Sequence, residues 1–145
     1  MLKLDWTDIE AMADSLAEQI AAAHGPVDPG ALLVGVSRGG LIPAALVAHR
    51  LGLRKVASLG LMSYADGPDG EQGALVDYGP APDGAAIVID DIIDTGRTLE
   101  AIRARYPDAV VGALVDKTEG RSGVISARQT PAGLWVAFPW ESAEA

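Results

Sequence analysis

Apolar positions fall along this chain in two alternating rhythms. Trp6, Ile9, Ala13, Leu16 and Ile20 recur at spacings of three and four, which predicts an amphipathic helix over 5–24 with Trp6 on its core face. Thr7 with Glu10 reads as its capping box, and Gly25-Pro26 ends it. The unbroken apolar run Ala31–Val36 then reads as a buried strand, followed by Ser37-Arg38-Gly39-Gly40 and a helix through Leu51 that tolerates Pro43 in its first turn. Lys55–Leu61 and Ala85–Ile89 are further strands. Between them, Ser63 to Asp83 is dense in Gly, Pro and Asp, which predicts a long loop of functional use or a plain surface hairpin. A helix carrying Leu99 and Ile102 runs to about Tyr106 and stops at Pro107, and the strand Ala109–Val115 ends in Asp116-Lys117. Leu134–Trp140 supplies a last short strand with two tryptophans. Strands alternating with helices predict an α/β fold: a mainly parallel twisted sheet flanked by helices.

A chain of 145 residues, 49% of them hydrophobic, can bury one sizeable core and is read as a single domain over 1–145. The absence of cysteine excludes disulfides, thiolate zinc sites and cysteine nucleophiles, and suits a cytoplasmic location. A formal net charge of -9 disfavours nucleic acid and anionic membrane as partners. An anionic ligand must then be held locally, by amides, a few bases and metal. No stretch has the length or apolarity of a membrane span, and the N-terminus does not read as a secretory signal.

Candidate chemistry concentrates in Ile87–Thr98, IVIDDIIDTGRT. An apolar strand turns acidic at Asp90, Asp91 and Asp94, then passes through Thr95-Gly96-Arg97-Thr98 into a helix. Turn amides and a helix N-terminus favour an anion. Two adjacent carboxylates need hydroxyls or a hard cation such as Mg²⁺. A sugar phosphate offers a partner to both ends; the plain alternative is an acidic surface turn. Ser37-Arg38-Gly39-Gly40 repeats the strand–glycine turn–helix geometry one unit earlier, where an ordinary tight turn is the plain alternative.

The two strings together resemble type I phosphoribosyltransferases, most nearly the bacterial xanthine-guanine enzymes. Three features carry the likeness: GVSRGGLIPAALVAHRLG, VIDDIIDTGRT, and the spacing from Lys117 to Trp135-Val136 before Phe138-Pro139-Trp140. That family transfers ribose 5-phosphate from phosphoribosyl pyrophosphate (PRPP) to N9 of a 6-oxopurine and releases pyrophosphate. The resemblance implies that Asp94, Thr95, Gly96, Arg97 and Thr98 hold the 5′-phosphate. Asp90 and Asp91 would face the ribose hydroxyls and the Mg²⁺ shell, and Ser37, Arg38 and Gly39 the pyrophosphate, with a cis peptide between Ser37 and Arg38. Asp94 would be the catalytic acid–base group at N7. Lys117 would donate to O6 of the base, Trp135 would stack on it, and Val136 would meet its edge through the backbone, making 117–145 the base-binding part. Ser63 and Tyr64 would belong to a flexible hood loop over 62–84. A homodimer or homotetramer is also implied. The chain departs from the family in one respect: Ser63 to Asp83 contains no Lys or Arg but holds Asp66, Asp69, Glu71, Asp77 and Asp83. A non-catalytic protein sensing PRPP or a nucleotide on the same fold is therefore the competing reading. A dinucleotide-binding oxidoreductase would need a G-x-G-x-x-G turn, which the chain lacks.

Overall fold

The computed structural model describes residues 1–63, 75–77 and 79–141. Its elements in chain order are β1 (Leu2–Lys3), α1 (Trp6–His24), β2 (Leu32–Ser37), α2 (Leu41–Leu51), β3 (Lys55–Ser63), β4 (Leu75–Asp77), β5 (Ala85–Ile93), α3 (Arg97–Arg105), β6 (Val110–Asp116), β7 (Ile125–Gln129) and β8 (Val136–Ala137). The main sheet has the order β4-β3-β2-β5-β6-β7. Its five strands from β3 to β7 run parallel, and β4 joins β3 antiparallel. β1 and β8 form a separate parallel pair. The expected α/β architecture is therefore observed.

Alternation within the strands divides the core in two. Leu33, Ile87, Ile89 and Leu114 face one side and pack with Ile9, Leu16 and Ile20 of α1 and Ala44 and Val47 of α2. Val34, Val36, Val88, Val111 and Ala113 face the other side and pack with Leu99 and Ile102 of α3. Successive strand side chains point to opposite faces, so continuous apolar runs are what a sheet covered on both sides requires. Each fully buried Ile or Leu contributes about 1.5–3 kcal/mol relative to an exposed one.

Several local expectations are corrected. The capping box of α1 is Asp5 with Asp8, not Thr7 with Glu10: Asp8 N donates to Asp5 Oδ1 at 2.8 Å, and Asp5 N to Asp8 Oδ2 at 2.9 Å. Trp6 is not core. It is 55% exposed, its ring lies 6.0 Å from that of Trp140, and burial along α1 begins at Ile9. β5 runs four residues past Ile89, through the acidic pair, since Asp90, Ile92 and Ile93 continue the ladder with β6. β7 and β1 have no counterpart in the sequence pattern: one is a five-residue edge strand with polar positions, and the other is two residues long. Leu134–Trp140 keeps strand geometry only at Val136–Ala137. Among the described residues, no helix is long and apolar enough to cross a membrane.

Candidate active site

Strand order creates the site. β2 and β5 are neighbours, yet the chain leaves them in opposite directions: through α2 to β3 on one side, and through α3 to β6 on the other. The crevice beyond their carboxyl ends is the switch point at which open α/β sheets bind ligands. The loops Ser37–Gly40 and Asp94–Gly96 emerge there side by side. They bound a cleft of about 330 Å³ lined by Ser37, Arg38 and Gly39 from one loop and by Asp90, Asp91, Asp94, Thr95, Gly96 and Thr98 from the other.

The first loop is a tight turn. Its Ser37–Arg38 peptide is cis. Gly40 N donates to Val36 O at 2.8 Å and Leu41 N to Arg38 O at 3.1 Å. Ser37 Oγ donates to Leu59 O of the neighbouring strand at 3.2 Å. The two glycines are required for different reasons. A Cβ on Gly40 would stand 2.5 Å from Val36 O and 2.7 Å from Ile89 O, both backbone atoms. A Cβ on Gly39 would stand 1.9 Å from Asp91 Oδ2 and 2.6 Å from its Cγ. Gly39 thus lets the acidic strand end press directly on the first loop.

Of the acidic pair, Asp90 is buried and Asp91 is partly exposed at the cleft. Asp90 is 6% exposed. Burial raises its pKa well above the ordinary carboxylate value, and the neighbouring Asp91 charge and contact raise it further. Asp91 is also raised, first by burial and in smaller part by the Glu141 charge, while Asp90 and backbone amides pull the other way. Asp91 N donates to Asp90 Oδ1 and Ile92 N to Asp91 Oδ1, each at 2.8 Å. Among the described residues, neither carboxylate pairs with a cation. Two hard oxygen donors in this condition suit Mg²⁺, which typically takes one or two carboxylates and completes its shell with water and substrate phosphates. The described residues hold no group of three or more metal-ligating side chains, so such an ion would be shared with a ligand rather than caged by protein.

Beyond the pair, Gly96 adopts φ 88 at the N-cap of α3, a left-handed conformation natural to glycine, and no side chain caps the helix. Thr95 Oγ1 accepts from Arg97 N at 3.4 Å. Apart from that bond, the N-terminus of α3 opens at the cleft, where Gly96 and Thr98 line it, an arrangement that suits an anion.

Lys117 joins this rim. Its N–H donates to Ile93 O at 2.8 Å, extending the β5–β6 pairing by one residue. Its Nζ lies 3.6 Å from Asp94 Oδ2, and its side chain is only 9% exposed. Arg97, Lys117, Trp135 and Val136 fall outside the cleft lining. Trp135 is 65% exposed, while Val136 is buried against the core on the α1 side. β1 bonds to the carbonyls of Trp135 and Ala137, leaving the alternate carbonyl of Val136 turned away from it. Ser63 closes β3; Tyr64 lies outside the described residues, as does most of the expected hood.

Two residues escaped the sequence pattern. Glu141, which accepts from Phe138 N at 2.7 Å, brings a third carboxylate's field to Asp91 from the far end of the chain. Asp116 is wholly buried one residue before Lys117. Tertiary contact alone reveals Glu141, whereas Asp116 bonds Thr118 and Ser122 just ahead in the chain.

A profile described as the phosphoribosyl transferase domain matches residues 4–125. The chain belongs to the phosphoribosyltransferase family. Two curated relatives in that family are xanthine-guanine phosphoribosyltransferases. One, from Roseobacter denitrificans, is 34% identical, with 97% of this chain and 85% of the relative covered. The other, from Gluconobacter oxydans, is 32% identical over 95% of this chain and 83% of its own length. Among solved structures, a purine phosphoribosyltransferase from Pyrococcus horikoshii superposes with a TM-score of 0.71 at 24% identity, covering 97% of this chain and 94% of the other. The last likeness shows the shared type I phosphoribosyltransferase fold.

Proposed function

We propose that this phosphoribosyltransferase transfers ribose 5-phosphate from PRPP to N9 of a 6-oxopurine, with Mg²⁺, releasing pyrophosphate. The carrying observation is the seating of Gly39 on Asp91, which makes one cleft of the two anion-binding loops. PRPP needs such a cleft, because it carries a phosphate at one end and a pyrophosphate at the other, with two hydroxyls between.

In this reading, Thr95, Gly96, Arg97, Thr98 and the first amides of α3 hold the 5′-phosphate. Asp90 and Asp91 accept from the ribose hydroxyls and would hold Mg²⁺, whose charge offsets that gathering on the departing pyrophosphate. Ser37, Arg38 and Gly39 bind the pyrophosphate. Arg38 and the turn amides stabilise the leaving group more in the transition state than in the ground state. Asp94 moves the proton at N7 of the purine. Lys117, held beside it, donates to O6 and so favours an oxo over an amino substituent. Trp135 stacks on the base, its exposure leaving a face for one, and Val136 reads the base edge through its backbone. The proposal extends to a homodimer or homotetramer in the cytoplasm.

The test is incubation with PRPP, Mg²⁺ and, separately, xanthine, guanine and hypoxanthine, followed by detection of the nucleoside monophosphate and pyrophosphate. Absence of product with all three bases overturns the reading. One observation favours a second reading, a PRPP or nucleotide sensor: the Ser63–Asp83 segment is acidic and lacks the bases that would steady pyrophosphate. Saturable PRPP binding without turnover is its signature.

A further inference from the structure

We propose that Asp116 is a positioning residue for Lys117, a role that rests on the purine reading above and deepens it. Asp116 is the last residue of β6 and is 0% exposed. A carboxylate buried this completely needs donors. It finds them just ahead in the chain. Its Oδ1 accepts from Thr118 N at 2.8 Å and from Thr118 Oγ1 at 2.6 Å, and its Oδ2 accepts from Ser122 Oγ at 2.9 Å.

The bond from residue 118 back to the side chain of 116 closes an Asx turn with Lys117 at its centre. Such a turn fixes the backbone of its central residue and so the direction of its Cα–Cβ bond. The turn is itself held. Thr118 Oγ1 accepts from Ser122 N at 2.9 Å, Arg103 Nη2 of α3 donates to Ser122 O at 2.8 Å, and Thr130 N donates to Asp116 O at 3.0 Å. Lys117 is thus clamped on both sides of its own peptide units, with its N–H on Ile93 O. Among the described residues its side chain pairs with Asp94, at 3.6 Å. Asp116 itself touches none of the cleft lining residues through these bonds; it acts by aiming the lysine. A long flexible side chain otherwise spreads over many rotamers, and holding it in one orientation removes that entropy before the base arrives.

The kinetic test compares Asp116→Ala with Asp116→Asn. Asn keeps an oxygen for Thr118 and so keeps the turn. Asp116→Ala should raise the purine KM about tenfold or more while the PRPP KM moves less than about twofold, and Asp116→Asn should recover most of the loss. Parallel rises in both constants, or an Asn variant as impaired as Ala, overturn the proposal. A ligand-free readout separates this from the purine reading. Lys3, Lys55 and Lys117 are the only lysines, so ¹³Cε-lysine labelling yields three signals. Asp94→Asn should shift the Lys117 signal in the parent chain but not in Asp116→Ala; an equal response in both backgrounds overturns the clamp. Should the parent chain show no transfer to any purine, the function falls while the spectrum still decides the clamp. If Asp116→Ala does not fold, Thr118→Pro serves instead, because it removes the N–H that closes the turn. It must raise the purine KM selectively, and no change there refutes the role.

Discussion

The sharpest perturbation the structure offers is Gly39→Ala. Gly39 has no positive φ, so alanine meets no backbone penalty there and the change acts through space alone. The new Cβ would lie 1.9 Å from Asp91 Oδ2. Real Cβ contacts stay above 3.0 Å, so the carboxylate must retreat by at least 1.1 Å. The atoms in the way belong to the end of a side chain and can swing aside, so the fold should survive. The acidic pair would then be displaced from the position in which the proposed function has it meet PRPP and Mg²⁺. Misplacement of a positioning group by about 1 Å can lower a rate about a hundredfold, or ~2.7 kcal/mol of transition-state stabilisation. The expected result is a fall of that size in kcat/KM for PRPP, a weaker apparent Mg²⁺ requirement curve, and a denaturant midpoint close to that of the parent. Gly40→Ala is the control. Its Cβ would meet Val36 O and Ile89 O at 2.5 and 2.7 Å, and backbone cannot swing aside. That variant should lose about 2 kcal/mol or more of stability. Turnover of Gly39→Ala within about twofold of the parent would refute the reasoning, as would a stability loss matching that of Gly40→Ala.

Asp94→Asn should depress the single-turnover chemical step about a hundredfold or more while leaving PRPP affinity within about threefold; an unchanged chemical rate removes Asp94 from proton transfer. Lys117→Ala should weaken purine binding about tenfold or more and spare PRPP, and the opposite pattern would place Lys117 elsewhere than at the base. Asp90 predicts a pH effect with a definite sign. Its folded pKa is raised above the ordinary 3.8, so the native state holds more protons than the unfolded state from about that pH upward, and stability without divalent cation falls as pH rises through this window. Asp90→Asn should flatten that fall, unfold later than the parent at pH 7 without Mg²⁺, and lose turnover. Parallel stability curves for the two proteins in urea titrations across pH 4–8 would contradict it.

Local chemistry announced the strand–turn–helix units. The runs at Leu33–Val36 and Ile87–Ile89 are apolar on both faces because helices cover both faces, and that property is visible residue by residue. The acid pair, the Thr95-Gly96 turn and the Ser37–Gly40 loop were equally legible, since each is a contiguous string whose residue types follow from backbone and anion chemistry. The capping box sits two residues before the Thr7–Glu10 pair, because Asp and Thr both serve that role and only geometry chooses between them. Trp6 is exposed although it shares the apolar spacing of α1, because periodicity reports a helix face without saying which of its turns are covered.

What the fold alone decided is adjacency. Nothing in the linear pattern states that β2 lies beside β5, yet that single neighbour relation sets Gly39 on Asp91 and turns two separate loops into one cleft. The same holds for Lys117 beside Asp94 and for Glu141 acting on Asp91 from the C-terminal segment. Local propensity is set by a residue and its near neighbours in the chain. Pairing between distant strands is set by how the whole apolar surface can be buried at once, and the chemistry of the site follows from that.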